Sequence, residues 1–226
     1  MNQLDLSGDH RSKTKARTHF EQWSRYYDRS WLNELVFFPS IRRCQEEILR
    51  WQNARGQRPF RILDVGCGTA TLLAILSRDP LAERLVGLDY SPAMIAQAAQ
   101  KKLSNPDLAE RLSLTVGDAE RLPFASASFD VVTCCNSFHH YPHQSVAVGE
   151  FRRVLRPGGI LVLIDGFRDN VVGWVVFDVA VTLVERDVHH AAWSAVRQMA
   201  ADAGFSIARQ EKMNVLAPLL VTVANA

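Results

Sequence analysis

The chain has 226 residues and a mass of 25.4 kDa, the size of one large domain or of one domain with an appendage. A formal net charge of +2 offers no strong field to draw nucleic acid or an anionic membrane, and 47% hydrophobic with 22% charged residues is an ordinary globular composition. Such a chain can bury a sizeable core unaided. Cys44, Cys67, Cys134 and Cys135 form no spaced framework, which argues against a disulfide scaffold and against a CxxC zinc site; no metal is expected. The N-terminal residues are polar, without the apolar core of a secretory signal, and no apolar run reaches the ~20 residues of a spanning helix. A cytoplasmic protein without a membrane span is the expectation.

Residues 1–15 carry few large apolar side chains and are expected to fray. From Ala16 to Trp51 the pattern turns helical, with Phe20, Trp23, Tyr26, Tyr27 and Trp31 spaced to form one buried stripe. A second stretch, Ile41 to Trp51, ends at the polar run Gln52 to Pro59, whose Asn53, Gly56 and Pro59 are turn formers. The boundary placed there divides an N-terminal helical cap, 1–57, from a core, 58–226.

Beyond it the pattern changes in kind. Phe60–Val65 and Leu85–Leu88 are short apolar runs, halted by Gly66 and Asp89, with a helix starting at Ala70 between them. Ser91 can cap a helix from Pro92 to about Lys102. Leu112–Val116, Phe129–Cys134 and Ile160–Ile164 are further strands, whose Val/Ile/Leu content suits strands covered on both faces. A helix around Ser145–Leu155 is stopped by Pro157-Gly158-Gly159. The tail offers a helix, about Ala191–Ala203, and two strands, Phe205–Arg209 and Leu219–Ala224. Strands alternating with helices predict βαβ units, hence a parallel sheet with helices on both faces.

Three acidic positions follow strand ends. In Ile62-Leu63-Asp64-Val65-Gly66-Cys67-Gly68-Thr69, a strand delivers the chain to a tight turn whose glycines let backbone N–H groups approach a ligand. A glycine turn chosen only for close packing would look the same. Asp64 breaks the tie: a carboxylate there repels a diphosphate and attracts a cation, and Thr71 stands where the dinucleotide fingerprint has its third glycine. Asp89 follows Gly68 by 21 residues, the place from which a carboxylate accepts both ribose hydroxyls. Asp118, in Gly117-Asp118-Ala119, can accept from an exocyclic amine such as that of adenine.

These motifs, with Phe129-Asp130-Val131-Val132 and Val154-Leu155-Arg156-Pro157-Gly158-Gly159-Ile160-Leu161, resemble the class I S-adenosylmethionine-dependent methyltransferases, closest in pattern to the quinone-biosynthesis C-methyltransferases. The resemblance covers Phe60 to Ile164 in detail. It implies a Rossmann-like, doubly wound α/β fold: a seven-stranded, mostly parallel sheet with a reversed last hairpin. It also implies S-adenosylmethionine as methyl donor, with Asp64, Gly66 and Gly68 around its methionine part and Asp89 on the ribose. Asp118 and Ala119 would hold the adenine, flanked by Tyr90 and Met94, and Asn136 would face the substrate. The segment Phe20 to Asp28 is similar to one that folds over the cofactor, so Tyr27 is a further candidate.

The acceptor side is thinner. His139, His140 and His143 follow the fourth strand and His189-His190 the fifth, where segments line the ligand crevice. His139 and His140 are candidates for a general base; packing and hydrogen bonding alone would also account for them. Val171–Val184 is apolar on nearly every side within an insert at about 167–190, and could be core, a lid over a lipophilic acceptor, or a homodimer patch. The expected function is methyl transfer to a small, hydrophobic or aromatic molecule, with no nucleic-acid partner. The alternatives are a non-catalytic cofactor-binding relative and a nicotinamide-dependent oxidoreductase, the latter disfavoured by Asp64 and the missing glycine.

Overall fold

The computed structural model describes residues 37–104, 106–166, 191–213 and 219–226. The stripe from Phe20 to Trp31, Tyr27 within it, the apolar run Val171–Val184 and His189-His190 lie outside the described residues.

Helix α1 (Phe38–Ala54) has a proline in its first turn and directs Ile41, Cys44, Ile48 and Trp51 toward the sheet, a rhythm of three and four residues. It ends where Gly56 and Gln57 take φ of +77° and +52°, inside the polar run expected to stop it. The chain then alternates through β1 (Phe60–Val65), α2 (Thr71–Leu76), β2 (Ala82–Asp89), α3 (Pro92–Leu103), α4 (Pro106–Arg111), β3 (Leu112–Val116) and β4 (Phe129–Cys135). A 3-10 turn (Phe138–His140) leads to α5 (Gln144–Val154) and β5 (Leu155–Gly166), and α6 (Trp193–Asp202), β6 (Ser206–Met213) and β7 (Leu219–Asn225) close the chain. Ser91 Oγ accepts from the Met94 N–H, capping α3 as its position predicts, and Lys101 and Lys102 suit the negative end of that helix.

Several elements depart from the sequence expectation, among them β2, which begins three residues before Leu85, and β6, which runs four residues past Arg209. The six-residue α4 is too short to show a period. Strand β5 starts at Leu155, not Ile160: Leu155 pairs with Phe129 and Ile160 with Val131, so Pro157-Gly158-Gly159 is an offset within the strand. Glycine is required there because a Cβ on Gly159 would lie 2.7 Å from the Asp130 carbonyl oxygen.

The sheet order is β3-β2-β1-β4-β5-β7-β6. The first five strands run parallel; β7 is antiparallel to both β5 and β6, which makes the reversed terminal hairpin. Successive strands grow outward from β1 in one direction and, after β4, in the other. The crevice this reversal opens at the strands' carboxyl ends is where ligands of such sheets sit.

Alternation along the strands sorts the core into two faces. Phe60, Ile62, Val131, Ile160, Val162 and Ile164 pack with α1, α2, α3 and α4; Leu63, Val65, Val132, Cys134, Leu161 and Leu163 pack with α5 and α6. An ionic cluster ties α1 to the outer edge of the sheet. Glu47, buried at 2% exposure, receives Arg43, Arg50 and, from β6, Arg209, while Arg43 also reaches Glu211. Neutralising one partner of such a cluster strands its buried counterpart.

Leu63 is fully buried at the centre of the sheet. Leu63→Ala is expected to cost about 2–5 kcal/mol of unfolding free energy, read as a lower urea midpoint at unchanged slope.

Candidate functional site

The carboxyl ends of β1, β2 and β4, with the turn after β3, enclose an open crevice of about 840 Å³. Gly66, Gly68, Asp89, Tyr90, Met94, Asp118, Ala119 and Asn136, eight of the cofactor candidates, line it, as does His140. Asp64 lines a recess that continues the crevice through Gly66, Gly68, Cys135 and Asn136, closed on its far side by Phe38 and Ile41 of α1.

Asp64 and Thr133 are cross-strand partners in β1 and β4, on the α1 face, and Thr133 Oγ1 donates to Asp64 Oδ1 at 2.6 Å. Burial, with the nearby Asp89 carboxylate adding to it, pushes the Asp64 carboxyl up to about 7 despite that hydrogen bond. The glycine turn is tied to β2 through Gly66 and Cys67 N–H groups, both donating to the Leu88 carbonyl. Gly66 has φ of +73°, and a Cβ there would collide with Ser137 Oγ and stand 2.5 Å from Ser137 Cβ. No larger residue fits. Ser137 Oγ itself donates to the Val65 carbonyl and lies 3.0 Å from the Tyr141 hydroxyl, so a small hydroxyl network backs the turn.

Asp89 bridges two elements: Oδ2 accepts from the Gly68 N–H and Oδ1 from the Ser91 N–H, both at 2.8 Å, while burial raises its carboxyl. Asp118 Oδ1 accepts from the Glu120 N–H, turning the loop so that Ala119 is buried beside Leu122. That loop is braced from α5. Arg153 donates to the Leu122 and Phe124 carbonyls, and Glu150 accepts from the Leu122 N–H. Asn136, in left-handed backbone at φ +55°, donates its N–H to the Ile164 carbonyl and accepts at Oδ1 from Ser40 Oγ in the first turn of α1.

The two histidines part company. His140 lines the crevice, whereas His139 turns to β5, where its Nδ1 lies 2.6 Å from Asp165 Oδ1 and its backbone N–H donates to Asp165 Oδ2. Their rings still touch, with centroids 4.0 Å apart. Sequence reasoning missed Asp165, Thr133, Ser137, Tyr141 and Ser40. Asp165 and Thr133 were legible in principle, since each is the polar residue in the last turns of an otherwise apolar strand. Ser40 reaches the site only through tertiary packing. Among the described residues no group of His, Cys, Asp and Glu could hold a metal ion, and no helix is long and apolar enough to cross a membrane.

A buried Asp64 and a half-buried Asp89, lining a recess and the crevice it continues, favour a ligand that brings positive charge, and disfavour a diphosphate. The reversed sheet order and antiparallel last hairpin that carry them make a Rossmann-like frame. Residues 63–163 match a family model described as a methyltransferase domain. Demethylmenaquinone methyltransferase of Listeria monocytogenes serotype 4a is 33% identical over 161 residues, 71% of this chain and 65% of that protein. The protein of the same name in Staphylococcus epidermidis is 34% identical over 154 residues, 68% of this chain and 61% of its own length. The chain thus spans just under two thirds of the relatives it matches. Magnesium protoporphyrin IX methyltransferase from Synechocystis PCC 6803, solved with bound SAH, shares the fold with a TM-score of 0.74 at 19% identity, over 94% of this chain and 99% of that one. Across this core the chain is similar in sequence to methyltransferases, and it shares their fold.

Gly66→Ala is expected to weaken S-adenosylhomocysteine binding at least tenfold by calorimetry and to lower stability by about 1–3 kcal/mol, because the left-handed turn and the Ser137 contact are both violated. A second expectation concerns pH. Asp64 keeps its proton in the folded chain up to about 7, against about 3.9 when unfolded, so its favourable contribution to folding is present below about 4 and is lost as pH rises through about 7. Its ionised form is the one that attracts a cation. Affinity for S-adenosylmethionine is therefore expected to rise from pH 6 to 8 with proton release, measured by calorimetry in buffers of differing ionisation enthalpy.

Proposed function

We propose that this chain transfers a methyl group from S-adenosylmethionine to a small, lipophilic aromatic acceptor and releases S-adenosylhomocysteine. The observation that carries the reading is the placing of buried Asp64 and half-buried Asp89 in a recess and the crevice it continues, on either side of a glycine turn that admits no larger residue. The bound donor supplies a methyl carbon that is already electrophilic. The chain's own residues therefore need to bind, orient and exclude water; in well-oriented systems such positioning removes about 7–11 kcal/mol of barrier.

Asp64 offsets the positive charge of the methionine end, with Gly66 and Gly68 giving the close approach. Asp89 accepts from ribose hydroxyls by exchanging its present N–H partners. Asp118 and Ala119 form the adenine end, with Tyr90 and Met94 on the ring faces. Asn136 stands where donor and acceptor meet. The segment 1–57 serves as a helical cap over this end, a role supported by Phe38 and Ile41 of α1 in the wall of the recess, and Tyr27 is its ligand contact. A base from the His139–His140 pair serves acceptors that must lose a proton.

The acceptor class is supported by the demethylmenaquinone named for the relatives and by the apolar composition of the 167–190 insert, which we assign to the acceptor side and to a homodimer contact. A near-neutral net charge supports a small molecule over nucleic acid. Four free cysteines, three of them buried, suit the reducing cytoplasm.

The test is direct. Calorimetry is expected to give micromolar binding of S-adenosylmethionine, weakened at least tenfold in Asp89→Ala. Mass spectrometry is expected to find a prenylated 1,4-naphthohydroquinone gaining one methyl group with equimolar S-adenosylhomocysteine. Absence of heat with either nucleoside overturns the proposal.

A further inference from the structure

The connection between β3 and β4 carries Asp118 and Ala119 into the crevice wall, and α5 holds it there. The Arg121 N–H donates to the Asp118 carbonyl and the Glu120 N–H to Asp118 Oδ1, so Asp118 to Arg121 is a closed turn. On this turn Glu120 Oε1 accepts at 2.7 Å from the N–H of His143, the residue before α5. Just beyond it, both peptide groups of Leu122 are met by one pair of side chains. Glu150 Oε2 accepts from its N–H at 2.8 Å, and Arg153 Nη2 donates to its carbonyl at 3.0 Å. Arg153 Nη1 donates to the Phe124 carbonyl at 2.7 Å. Glu150 and Arg153 stand one helical turn apart and pair in a fork, Nε on Oε1 and Nη2 on Oε2, each at 2.7 Å. The fork holds the Glu150 carboxyl below the usual carboxylate range. Nearer β4, the Ala127 and Ser128 N–H groups donate to the carbonyls of Arg153 and Val154, at the end of the same helix. The apolar contacts agree: Ala119 and Leu122 are buried in one cluster with Ala147, Val148 and Phe151 of α5. A guanidinium locked by its carboxylate thus offers this loop fixed donors and an acceptor, as a neighbouring strand would.

We propose that Glu150 and Arg153 are positioning residues that set the selectivity of the crevice for a base bearing an exocyclic amine. The inference rests on the methyl-transfer reading above, in which Asp118 meets the adenine, and deepens it by assigning selectivity to a pair outside the crevice wall. A carboxylate tells an amine from a carbonyl only if its place is fixed. Held still, it is left without a donor when a carbonyl oxygen faces it, and the wrong base is rejected. On a loose loop it turns aside to solvent and the rejection fades. Releasing Leu122 removes the anchorage of the Asp118 turn on its carboxyl-terminal side, while the attachment of Glu120 to His143 remains. Lysine is no substitute for Arg153 here, because an ammonium supplies neither the fork to Glu150 nor two preset directions toward Leu122 and Phe124. The side chains of Glu150 and Arg153 are 20% and 35% exposed, so the pair can be altered without opening the core or touching a residue that lines the crevice.

Calorimetry compares three probes: S-adenosylhomocysteine, S-inosylhomocysteine, whose base carries a carbonyl in place of the amine, and S-ribosylhomocysteine, which has no base. Weak ligands are read by displacement. Wild type is expected to favour the adenosyl over the inosyl compound by about a hundredfold or more. Arg153→Met is expected to lower that ratio at least tenfold, while affinity for S-ribosylhomocysteine stays within twofold of wild type. Should Arg153→Met fail to fold, Arg153→Lys carries the test, with a loss of at least threefold in the same ratio. Because the pair acts through the Asp118 turn, Arg153→Met is expected to change S-adenosylhomocysteine affinity by less than twofold when added to Asp118→Ala. A ratio equal to that of wild type in the folded variant overturns the proposal. Equal weakening of the adenosyl and ribosyl compounds overturns it as well, since that marks a merely structural role. A full effect of Arg153→Met on top of Asp118→Ala does the same. Equal wild-type affinity for the adenosyl and inosyl compounds overturns the selectivity while nucleoside binding itself stands. Failure of the wild type to bind S-adenosylhomocysteine or S-adenosylmethionine defeats the underlying reading instead.

Discussion

The cost of ionising Asp64 in its buried place, to which the nearby Asp89 adds, organises the crevice end of this molecule. Neither carboxylate is expendable to the fold: one accepts from Thr133 across the β1–β4 boundary, the other joins the glycine turn to the start of α3. Ionisation is costly at both, chiefly through loss of solvent, which raises both carboxyl pKa values. A cation placed between them recovers part of that cost. Folding thus stores an unfavourable electrostatic arrangement that a ligand of the correct sign relieves, and binding energy at this end comes as much from relief as from new contacts.

Strand parity distributes the remaining roles. The face carrying Ile62, Asp64, Val131 and Thr133 is covered by α1 and supplies the recess that continues the crevice. The opposite face, carrying Leu163 and Asp165, is covered by α5 and α6 and supplies the clamped histidine. Asn136, just past β4 and in left-handed backbone, turns the chain from one to the other. The buried carboxylate of β1 and the clamped histidine are therefore built on opposite sides of one sheet. α5 serves both sides, since Arg153 and Glu150 also brace the loop that carries Asp118 and Ala119.

Most of the frame was legible in the residues. β1, β3, β4 and α3 fell within a residue of their expected limits; Gly66 and Gly117 follow β1 and β3, and Ser91-Pro92 opens α3, each with a local physical cause. β5 was read five residues short because Pro157-Gly158-Gly159, a sound stop for a helix, also marks a register offset that only the pairing with β4 reveals. At the site, the carboxylates were legible because charge at a strand end in an apolar run has few structural explanations. The partners that hold them were not. Thr133, Ser137 and Ser40 are small polar residues whose significance lies in cross-strand register and helix docking, neither of which a linear pattern displays.

The ionic cluster of Glu47 has a reach beyond its own corner. Arg209 comes from β6, the outermost strand, and Glu47 from the helix whose first turn presents Ser40 to Asn136. The last hairpin is thereby tied by its ion pairs to the helix whose first turn walls the recess between Phe38 and the glycine turn. Removing β6 would take away an outer anchorage of that helix, so the carboxy-terminal hairpin bears on a crevice to which its described residues contribute no wall.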